Sequence, residues 1–480
     1  MELNLIPQPL KVTMLSGIST VSAVTETIDP GMREEAYRLY IGAEGISLEA
    51  GSETGLIWGR KTLEQLGRQF PGEIPCMEIA DEPAYAYRAF HMDSARHMLP
   101  MEEMKKIIDA AAYFKLNRFH WHFSDDQGWR IECKAFPKLH EIGAYRKGDH
   151  FGRYNSDEIE GGYYTRQEVK EMVDYCHERG IQVVPEIDLP GHVTAILAAY
   201  PHLSCHGMQL EVSTQTDISR HLLCAGREDV FAFVEALLED MLELFPDPWF
   251  HIGGDEAPKY YWERCPHCQA RIQAEGLANT RQLQGWFSNR IAAFLRQRGK
   301  QVLMWNDGAW GGNVDSEMIM QIWFPDQDSA MDKHVAKGGK VMLSPVDVCY
   351  CDYPHGAHPL EGVYHMDLQP HGFPRDSVIG GECLTWAEHI RTADQLQTLA
   401  FPRFTALAEV LWLGGNRPGY GDFRKRLDAL LPVFGEKGIR LLAPECWDPD
   451  PAEREAQTQA FLAQAQAQFA VDYEQLLSEM

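Results

Sequence analysis

The sequence WFHIGGDE, residues 249–256, places two glycines and two adjacent carboxylates directly after a short apolar run. The apolar residues predict a strand, and the glycines let its backbone come close to a ligand because they carry no side chain. Asp255 and Glu256 then lie at the carboxyl end of the strand, where a parallel barrel presents its chemistry. Because neighbouring carboxyls repel, we expect their surroundings to separate their pKa values, which gives one proton donor and one anion.

Outward from this segment, apolar strands alternate with helical patterns from Tyr87 onward. A helix with an apolar face begins at Met101, and a capping box at 165–168 opens another. Further helical segments are predicted over 231–244 and 392–411. Strands are predicted at 88–93, 117–123, 182–187, from 249, and at 301–304, 319–322, 341–343 and 378–384. Eight strands alternating with helices predict an α/β fold, a closed (β/α)8 TIM barrel.

The patterns divide the chain into three parts. Residues 1–84 are predicted to form a small N-terminal α+β domain, with a strand at 46–50 and a helix near 59–70. A stretch rich in proline and glycine ends this part and marks a boundary. The barrel is expected over 85–445, and 446–480 predicts a C-terminal helical tail.

The tail carries apolar residues that recur every four positions, which predicts an amphipathic helix from Pro451. We expect it to pack on its own barrel; packing on a second subunit is the alternative, and the oligomeric state is not predicted. The apolar residues are Phe461, Ala465, Phe469, Tyr473 and Leu477.

The composition narrows the classes of partner. The chain has 480 residues, of which 45% are hydrophobic, and a formal net charge of −26. Little basic surface is left to neutralise phosphates, so we expect no nucleic acid partner. No apolar run reaches the roughly 18 residues of a membrane span, so no membrane association is expected. The N-terminus lacks the basic and apolar regions of a signal peptide, which predicts a cytoplasmic protein, with a trimmed secreted protein as the alternative.

The eleven cysteines are scattered, as is typical of reduced thiols. Cys265 and Cys268 form a CxxC pair, which can begin a zinc site, but four ligands are needed and no second pair follows. A local thiol pair is the alternative. Cys205 and Cys224 could bridge a loop in an oxidising setting. We therefore predict no metal and no other cofactor.

Polar and aromatic residues follow nearly every predicted strand. One such residue is usually a helix cap or a core residue, but the clustering at strand ends favours a binding site. Aromatic faces stack on the C–H faces of a pyranose, while arginine and carboxylates bind its hydroxyls, so the set favours a sugar. The set is Asp93, Arg96, His122, Asp125, Asp188, His192, Asp255, Glu256, Trp305, Trp323, Tyr350, Asp352 and Trp386.

The adjacency of Asp255 and Glu256 limits the mechanism. Glycosidases with two catalytic carboxylates hold them on opposite sides of the bond, about 5 Å apart in retaining enzymes and about 6.5–9.5 Å in inverting ones. Side chains of neighbouring residues in an extended chain diverge, so this pair fits neither arrangement. One carboxyl acting as acid, while the other steers a nucleophile carried by the substrate, fits better. A 2-acetamido oxygen could be that nucleophile.

Six pieces of the sequence resemble, in their order, the family-20 glycoside hydrolases, which are β-N-acetylhexosaminidases. They are DSARH at 93–97, HWHFSDDQGWR at 120–130, DLPGH at 188–192, HIGGDE at 251–256, YCD at 350–352 and WAE at 386–388. The second and fourth pieces are highly specific, and the resemblance spans roughly residues 5–445. Cys351 departs from the bulkier apolar residue that is common at its position.

The resemblance implies catalytic roles residue by residue. Glu256 would be the general acid and would later activate water. Asp255 would orient the acetamido group and stabilise an oxazolinium-like intermediate. Tyr350 would donate a hydrogen bond to the acetamido oxygen. Asp125 and His192 would form a polar relay beside Glu256 that keeps its pKa raised.

The resemblance also implies a binding pocket. Arg96 and Glu388 would bind the 3- and 4-hydroxyls, Asp352 the 6-hydroxyl, and His122 would support the relay. Three tryptophans would wall the acetamido pocket and the sugar face. These are Trp305, Trp323 and Trp386. No metal or organic cofactor is implied.

The implied activity is exo-acting hydrolysis of terminal, non-reducing β-linked GlcNAc or GalNAc from glycans, with retention of configuration. A disaccharide-releasing enzyme of the lacto-N-biosidase type is the alternative, although Glu388 and Asp352 favour a closed single-sugar pocket. A carbohydrate-binding protein without catalysis is disfavoured because every implied catalytic position is filled. A metal-dependent interaction protein built on the CxxC pair is the remaining hypothesis.

Overall fold

The computed structural model of the chain describes residues 2–150, 156–216, 218–325, 329–466 and 479–480. Within these ranges, no helix has both the length and the apolar character that crossing a membrane requires.

The N-terminal part is a mixed sheet covered by one helix. The sheet order is β1-β5-β3-β4-β2, with β2 and β4 parallel and the other neighbours antiparallel. The helix α1 begins earlier than predicted because the Ser52 side chain accepts hydrogen bonds from the first-turn amides of Thr54 and Gly55. The elements are β1 (Lys11–Ser19), β2 (Val24–Ile28), β3 (Tyr37–Ile41), β4 (Ile46–Ala50), α1 (Glu53–Gln69) and β5 (Ile74–Asp81).

The next part is a closed parallel barrel, which confirms the predicted (β/α)8 fold. Strands β6, β7 and β12 to β17 form it in chain order, while β8–β9 and β10–β11 are short antiparallel hairpins. The strands are β6 (Tyr87–Asp93), β7 (Arg118–His122), β8 (Ser124–Asp125), β9 (Gly128–Trp129), β10 (Tyr145–Asp149), β11 (Ser156–Gly161), β12 (Gln182–Glu186), β13 (Trp249–His251), β14 (Gln301–Trp305), β15 (Ile319–Ile322), β16 (Lys340–Leu343) and β17 (Val378–Cys383).

Helices surround the barrel, and the capping box at Thr165 opens α4 as predicted. Helices cover the outer face of the barrel strands, and β6 is buried along its whole length. The helices are α2 (Met101–Tyr113), α3 (Lys138–Glu141), α4 (Arg166–His177), α5 (Thr194–Ala199), α6 (Glu228–Leu242), α7 (Tyr260–Arg264), α8 (Pro266–Glu275), α9 (Thr280–Arg296), α10 (Ala330–Ala336), α11 (Val346–Cys349), α12 (Leu360–Tyr364), α13 (Ala393–Ala400), α14 (Arg403–Leu413), α15 (Tyr420–Glu436) and α16 (Pro451–Gln466).

The segment predicted as one helix over 392–411 is divided into α13 and α14. The division falls at Phe401 and Pro402. Proline has no amide hydrogen for an intrahelical bond and its ring clashes with the preceding turn, so the first helix ends before it.

The register of the barrel aligns the ends of its strands. Asp93 of β6 pairs with His122 of β7, which pairs with Glu186 of β12. Glu186 in turn pairs with His251 of β13, and His251 with Leu303 of β14. The residues that follow these positions therefore leave the barrel on one side.

The tail helix α16 packs on the barrel of its own chain. The ring of Phe461 lies 4.4 Å from that of Tyr353 and 5.2 Å from that of His389, between ring centroids. The predicted apolar positions Phe469, Tyr473 and Leu477 lie outside the described residues. The side chain of Ala465 is likewise outside them.

A buried polar junction joins the N-terminal sheet to the barrel. Asp81 of β5 accepts hydrogen bonds from the Tyr37 hydroxyl at 2.6 Å and from Trp412 Nε1 at 2.9 Å, and it lies 3.3 Å from Lys115 Nζ. Trp412 and Leu413, at the end of α14, pack in the same apolar cluster as the N-terminal sheet and α1. The two parts are thus packed as one body.

Candidate active site

The twelve predicted site residues lie at the carboxyl ends of barrel strands or in the segments that follow them. Parallel strands of a closed barrel end on the same side, so residues distant in sequence converge there. These residues are Arg96, His122, Asp125, His192, Asp255, Glu256, Trp305, Trp323, Tyr350, Asp352, Trp386 and Glu388.

The turn after β13 depends on its two glycines. Gly253 and Gly254 have φ values of +62° and +102°. A Cβ on Gly253 would lie 1.9 Å from Asp188 Oδ1, and the Gly254 amide donates a 2.9 Å hydrogen bond to the same oxygen. No larger residue fits at Gly253 without moving Asp188. The sequence predicted that the glycines let the backbone approach a ligand, but in the structure the group that approaches Gly253 is the Asp188 carboxyl.

Glu256 has a left-handed backbone, with φ at +41°. Its amide donates a 2.8 Å hydrogen bond to Asp307 Oδ2, which fixes this unusual conformation. The Glu256 side chain is 19% exposed, whereas Asp307 is buried. The turn therefore leaves the Glu256 carboxyl partly exposed, next to the buried Asp307.

A chain of polar contacts leads from β7 to Glu256. His122 Nε2 lies 2.9 Å from Asp125 Oδ2, and Asp125 Oδ1 lies 3.0 Å from His192 Nδ1. His192 Nε2 is 3.6 Å from Glu256 Oε2 and 3.8 Å from Asp255 Oδ2. Burial lowers the pKa of His192, but Asp125 and Asp255 outweigh it and raise that pKa well above its usual range. A positively charged imidazole thus lies beside both carboxyls.

Arg96 is buried among carboxylates. Its guanidinium lies 2.8 Å from Asp125 Oδ2, 3.1 Å from Asp93 Oδ2 and 3.5 Å from Glu388 Oε1, and it stacks over the Trp386 ring at 5.2 Å. Burial opposes ionisation of Asp125, yet Arg96 and His192 hold the pKa of Asp125 well below its usual range. Asp125 is therefore an anion that orients two cations.

Asp255 belongs to a group of crowded, buried carboxyls. Burial raises its pKa to about 6, against the lowering effect of His192. Burial and the nearby Asp255 raise the pKa of Asp307 to about 7, and the same two causes raise the pKa of Asp188 well above its usual range. Near neutral pH, Asp188 therefore keeps its proton while Asp255 is largely ionised.

Aromatic rings form the walls of the site. Trp305 and Trp386 have ring centroids 5.8 Å apart, and Trp323 stacks on Tyr350 at 6.1 Å. Trp323 Nε1 donates to Asp307 Oδ1 at 2.9 Å, which fixes the indole plane. Burial and the nearby Asp255 raise the pKa of Tyr350 well above its usual range, so its hydroxyl keeps a proton to donate.

Asp352 and Glu388 bring two more carboxyls to this side of the barrel. Burial and then Glu388 raise the pKa of Asp352 well above its usual range. Burial also raises the pKa of Glu388, against the lowering effect of Arg96. A protonated Asp352 offers both a donor and an acceptor, which suits a hydroxyl ligand.

Below the site, a hydrogen-bonded network fills the top of the barrel. Glu186 accepts a 2.8 Å hydrogen bond from Trp305 Nε1, and its carboxylate lies 2.5 Å from His122 Nδ1 and 2.9 Å from His251 Nδ1. His120 Nε2 lies 3.2 Å from the same carboxylate. Glu186 thereby fixes two strand-end histidines and the Trp305 wall.

Several buried polar atoms of the described residues lack hydrogen-bond partners at the site. Asp255 Oδ1, Asp352 Oδ1 and His192 Nε2 are among them. Buried polar atoms are almost always paired, so these atoms indicate where a polar ligand binds. Asp188, His192 and Asp255 also lie close enough together to hold a metal ion, but a protonated imidazole has no lone pair to offer one. The arrangement instead suits acid–base chemistry on a sugar.

The sequence interpretation missed the roles of Asp188, Glu186 and Asp307. Asp188 lies in a quoted motif but was given no role, although the glycines at 253–254 were a signal that a neighbour comes close. Asp307 follows Trp305 in an Asn-Asp-Gly segment that is typical of an ordinary turn. Glu186 is a charged residue inside an apolar strand, and a buried charge of that kind is a signal of a polar network.

Two models of one family match the chain. The catalytic domain of glycosyl hydrolase family 20 matches residues 85–414, and domain 2 of that family matches residues 12–82. The matched catalytic segment contains all twelve predicted site residues.

Individual relatives agree with these matches. A β-hexosaminidase of Porphyromonas gingivalis is 34% identical over 86% of this chain, which spans only 55% of that protein. A β-hexosaminidase of Akkermansia muciniphila is 33% identical over 89% of each chain. The structure of an exo-β-N-acetylglucosaminidase of Vibrio harveyi in complex with N-acetylglucosamine superposes with a TM-score of 0.81, at 29% identity, covering 92% of this chain and 78% of that one. The chain belongs to glycosyl hydrolase family 20.

Proposed function

We propose that this protein is an exo-acting β-N-acetylhexosaminidase that removes terminal, non-reducing β-linked GlcNAc or GalNAc from glycans. The observation that carries the proposal is the turn at 253–256, which holds Asp255 and Glu256 side by side, with Asp255 Oδ1 unpaired among the residues that the structure describes. The family membership and the GlcNAc complex of the Vibrio harveyi relative support an N-acetylhexosamine substrate.

In the first step, Glu256 donates its proton to the glycosidic oxygen as the bond from C1 to that oxygen breaks. The carbonyl oxygen of the substrate's own acetamido group attacks C1 and closes an oxazolinium ring. Asp255 accepts a hydrogen bond from the acetamido N–H and balances the developing positive charge. The Tyr350 hydroxyl donates to the acetamido oxygen, and such preorganised contacts strengthen as charge develops.

In the second step, the Glu256 carboxylate takes a proton from a water molecule that attacks C1. The bond between C1 and the acetamido oxygen breaks, the acetamido group is restored, and Glu256 regains its proton. Two inversions at C1 give net retention. His192 Nε2 lies 3.6 Å from Glu256 Oε2, so the imidazole is beside the acid–base carboxyl in both steps.

The remaining side chains would bind the sugar hydroxyls. Arg96 and Glu388 are 3.5 Å apart and together present donors and acceptors to the 3- and 4-hydroxyls. Asp352 Oδ1 lacks a partner in the described structure, which supports its assignment to the 6-hydroxyl. Carboxyls at these hydroxyls would close the pocket after one sugar, which favours exo action over release of a disaccharide.

The test is release of p-nitrophenol from its β-GlcNAc and β-GalNAc glycosides, with a thiazoline mimic of the cyclised intermediate as inhibitor. We expect turnover that the thiazoline blocks, and a β-configured product by NMR at early times. Turnover only of a β-linked lacto-N-biose glycoside would favour the disaccharide-releasing alternative. Binding of GlcNAc by the folded protein without any turnover would favour a carbohydrate-binding protein.

A further inference from the structure

Four cysteines from two separate segments of the chain come close together. Cys205 and Cys224 lie in the segment between α5 and α6, which follows β12. Cys265 directly precedes α8, and Cys268 lies in its first turn, in the segment that follows β13. All four sulfurs lie within 4.8 Å of one another. We call these four residues the cysteine cluster.

The sulfur separations match a tetrahedral metal site. Cys224 Sγ lies 3.8 Å from Cys265 Sγ and 3.8 Å from Cys268 Sγ, and Cys205 Sγ lies 3.8 Å from Cys268 Sγ. Four sulfurs placed tetrahedrally about zinc, with Zn–S bonds of about 2.3 Å, are separated by about 3.8 Å. A disulfide needs a sulfur separation of about 2.05 Å, which is far shorter than these three separations.

The surrounding backbone is shaped around the cysteine cluster. A Cβ on Gly226 would lie 2.1 Å from the carbonyl carbon of His267 and 2.4 Å from the Cys268 nitrogen, so only glycine allows the two segments to pack this closely. Cys265 and Cys268 are three residues apart at the start of α8, so one turn presents both sulfurs to the same side. The free amides of that helical turn favour thiolates.

We propose that the cysteine cluster is a structural zinc site. Each sulfur binds as a thiolate, and each thiol proton is released to solvent as the metal enters. Three of the four cysteines are buried and Cys205 is half-buried, so four protein ligands complete the coordination and no position is open to substrate. This proposal replaces the sequence-based prediction of no metal, and it does not depend on the proposed activity.

The cysteine cluster ties together the two segments that carry the acid–base residues. The connection from β12 to α6 includes His192 as well as Cys205 and Cys224, and the connection from β13 to α8 includes Asp255 and Glu256. Two hydrogen bonds extend this connection toward the site: Trp262 Nε1 donates to the Leu223 carbonyl at 2.9 Å, and the Leu223 amide donates to the Pro190 carbonyl at 3.1 Å. Zinc would therefore hold His192 at its distance from the two carboxyls.

The first measurement is the metal content of the full chain, purified under reducing conditions without chelators or a polyhistidine tag. We expect about one zinc ion per chain and four thiols that react with a thiol reagent only after the metal is removed. Replacement of zinc by cobalt should give the visible absorption and thiolate charge-transfer bands of a tetrahedral four-sulfur site. Iron in place of zinc, disulfides among the four residues, or metal-free protein with four readily reactive thiols would each overturn the proposal.

Variants localise the metal. Cys205→Ser and Cys268→Ser should each lose the zinc, while Cys446→Ser, a half-buried cysteine outside the cysteine cluster, should keep it. If a cluster variant fails to fold, chelation of the unmodified chain gives the same information: its Tm should fall and should recover with zinc but not with magnesium. Zinc retained in both cluster variants, or a Tm that chelation leaves unchanged, would contradict the assignment.

Discussion

Asp307 Oδ2 accepts a 2.8 Å hydrogen bond from the backbone amide of Glu256. The other oxygen of the same carboxyl accepts from Trp323 Nε1 at 2.9 Å. One buried side chain thus fixes both the left-handed backbone of the proposed acid and a wall of the pocket. Asp307 is a positioning residue, because it acts through two neighbours and makes no contact with the sugar in the proposed mechanism.

We expect Asp307→Asn to lower kcat about tenfold, which corresponds to about 1.4 kcal/mol of transition-state stabilisation. Both partners of Asp307 are donors, and asparagine offers only one acceptor oxygen, so one of the two contacts is lost. The measurement is steady-state hydrolysis of the p-nitrophenyl glycoside. Asp332→Asn, an exposed position in α10, is the matched control and should leave kcat unchanged. Equal rates for all three proteins would refute the positioning role.

Glu256→Gln should reduce kcat by about 10²–10⁴ on substrates with poor leaving groups and by less on activated aryl glycosides. An activated leaving group departs with little help from an acid, so the loss depends on leaving-group pKa. A series of substituted phenyl glycosides measures that dependence. Glu263→Gln, an exposed residue in α7, is the control. A loss of the same size across the series would count against general-acid catalysis.

The activity of the free enzyme should fall at acidic pH. Asp255 must be ionised to accept the acetamido N–H, and its pKa is about 6, while that of the nearby Asp307 is about 7. The two carboxyls titrate as a pair, so kcat/KM should decline as the pH falls through this range. His192→Asn removes a cation that lowers the pKa of Asp255, and we expect the decline to begin at higher pH in that variant. A decline that does not move would show that another group controls it.

The same raised pKa values make stability depend on pH. In an unfolded chain Asp307 has a pKa near 3.8, whereas in the folded protein it is about 7. The folded state therefore binds this proton more tightly, so the stabilisation is complete below pH 3.8 and is lost as the pH rises to about 7. Urea titrations measure the difference in free energy of unfolding between the unmodified protein and Asp307→Asn. We expect this difference to decrease as the pH rises from about 3.8 to about 7. A difference that is constant with pH would contradict the raised pKa.

Gly253→Ala should destabilise the protein more than Gly276→Ala. The two glycines have φ values of +62° and +66°, so each alanine costs roughly 1–2 kcal/mol for its left-handed backbone. A Cβ at Gly276 meets open space, but one at Gly253 meets Asp188, which adds roughly 1–3 kcal/mol of overpacking. Equilibrium denaturation of both variants measures the difference. Equal losses would mean that Asp188 moves away without cost.

The barrel could be predicted because its strands are mostly buried, carry several apolar residues each and alternate along the chain with helical patterns. The position of the site could be predicted as well, because polar residues directly follow the strands β6, β7, β12 and β13 in the sequence. The start of α1 was missed because its signal is a single residue, Ser52, whose capping bonds extend the helix before its apolar pattern begins.

The contacts that position the site could not be predicted in the same way. Asp307 is important because its two oxygens meet Glu256 and Trp323, which come from different barrel segments. Cys205 and Cys224 are 60 and 41 residues from the nearer cysteine of the CxxC pair, and no spacing rule relates them to it. Such relationships arise only when two loops fold against each other.

The helix α14 packs against barrel strands β6 and β17 and also supplies Trp412 and Leu413 to the apolar cluster of the N-terminal sheet. A gene fragment that encodes the barrel without this sheet would expose an indole and a leucine to water and leave Lys115 without its carboxylate partner. Recombination that exchanges the N-terminal domain between relatives must therefore carry matching changes in the last barrel helix. The two parts are expected to be inherited, and expressed successfully, as a single module.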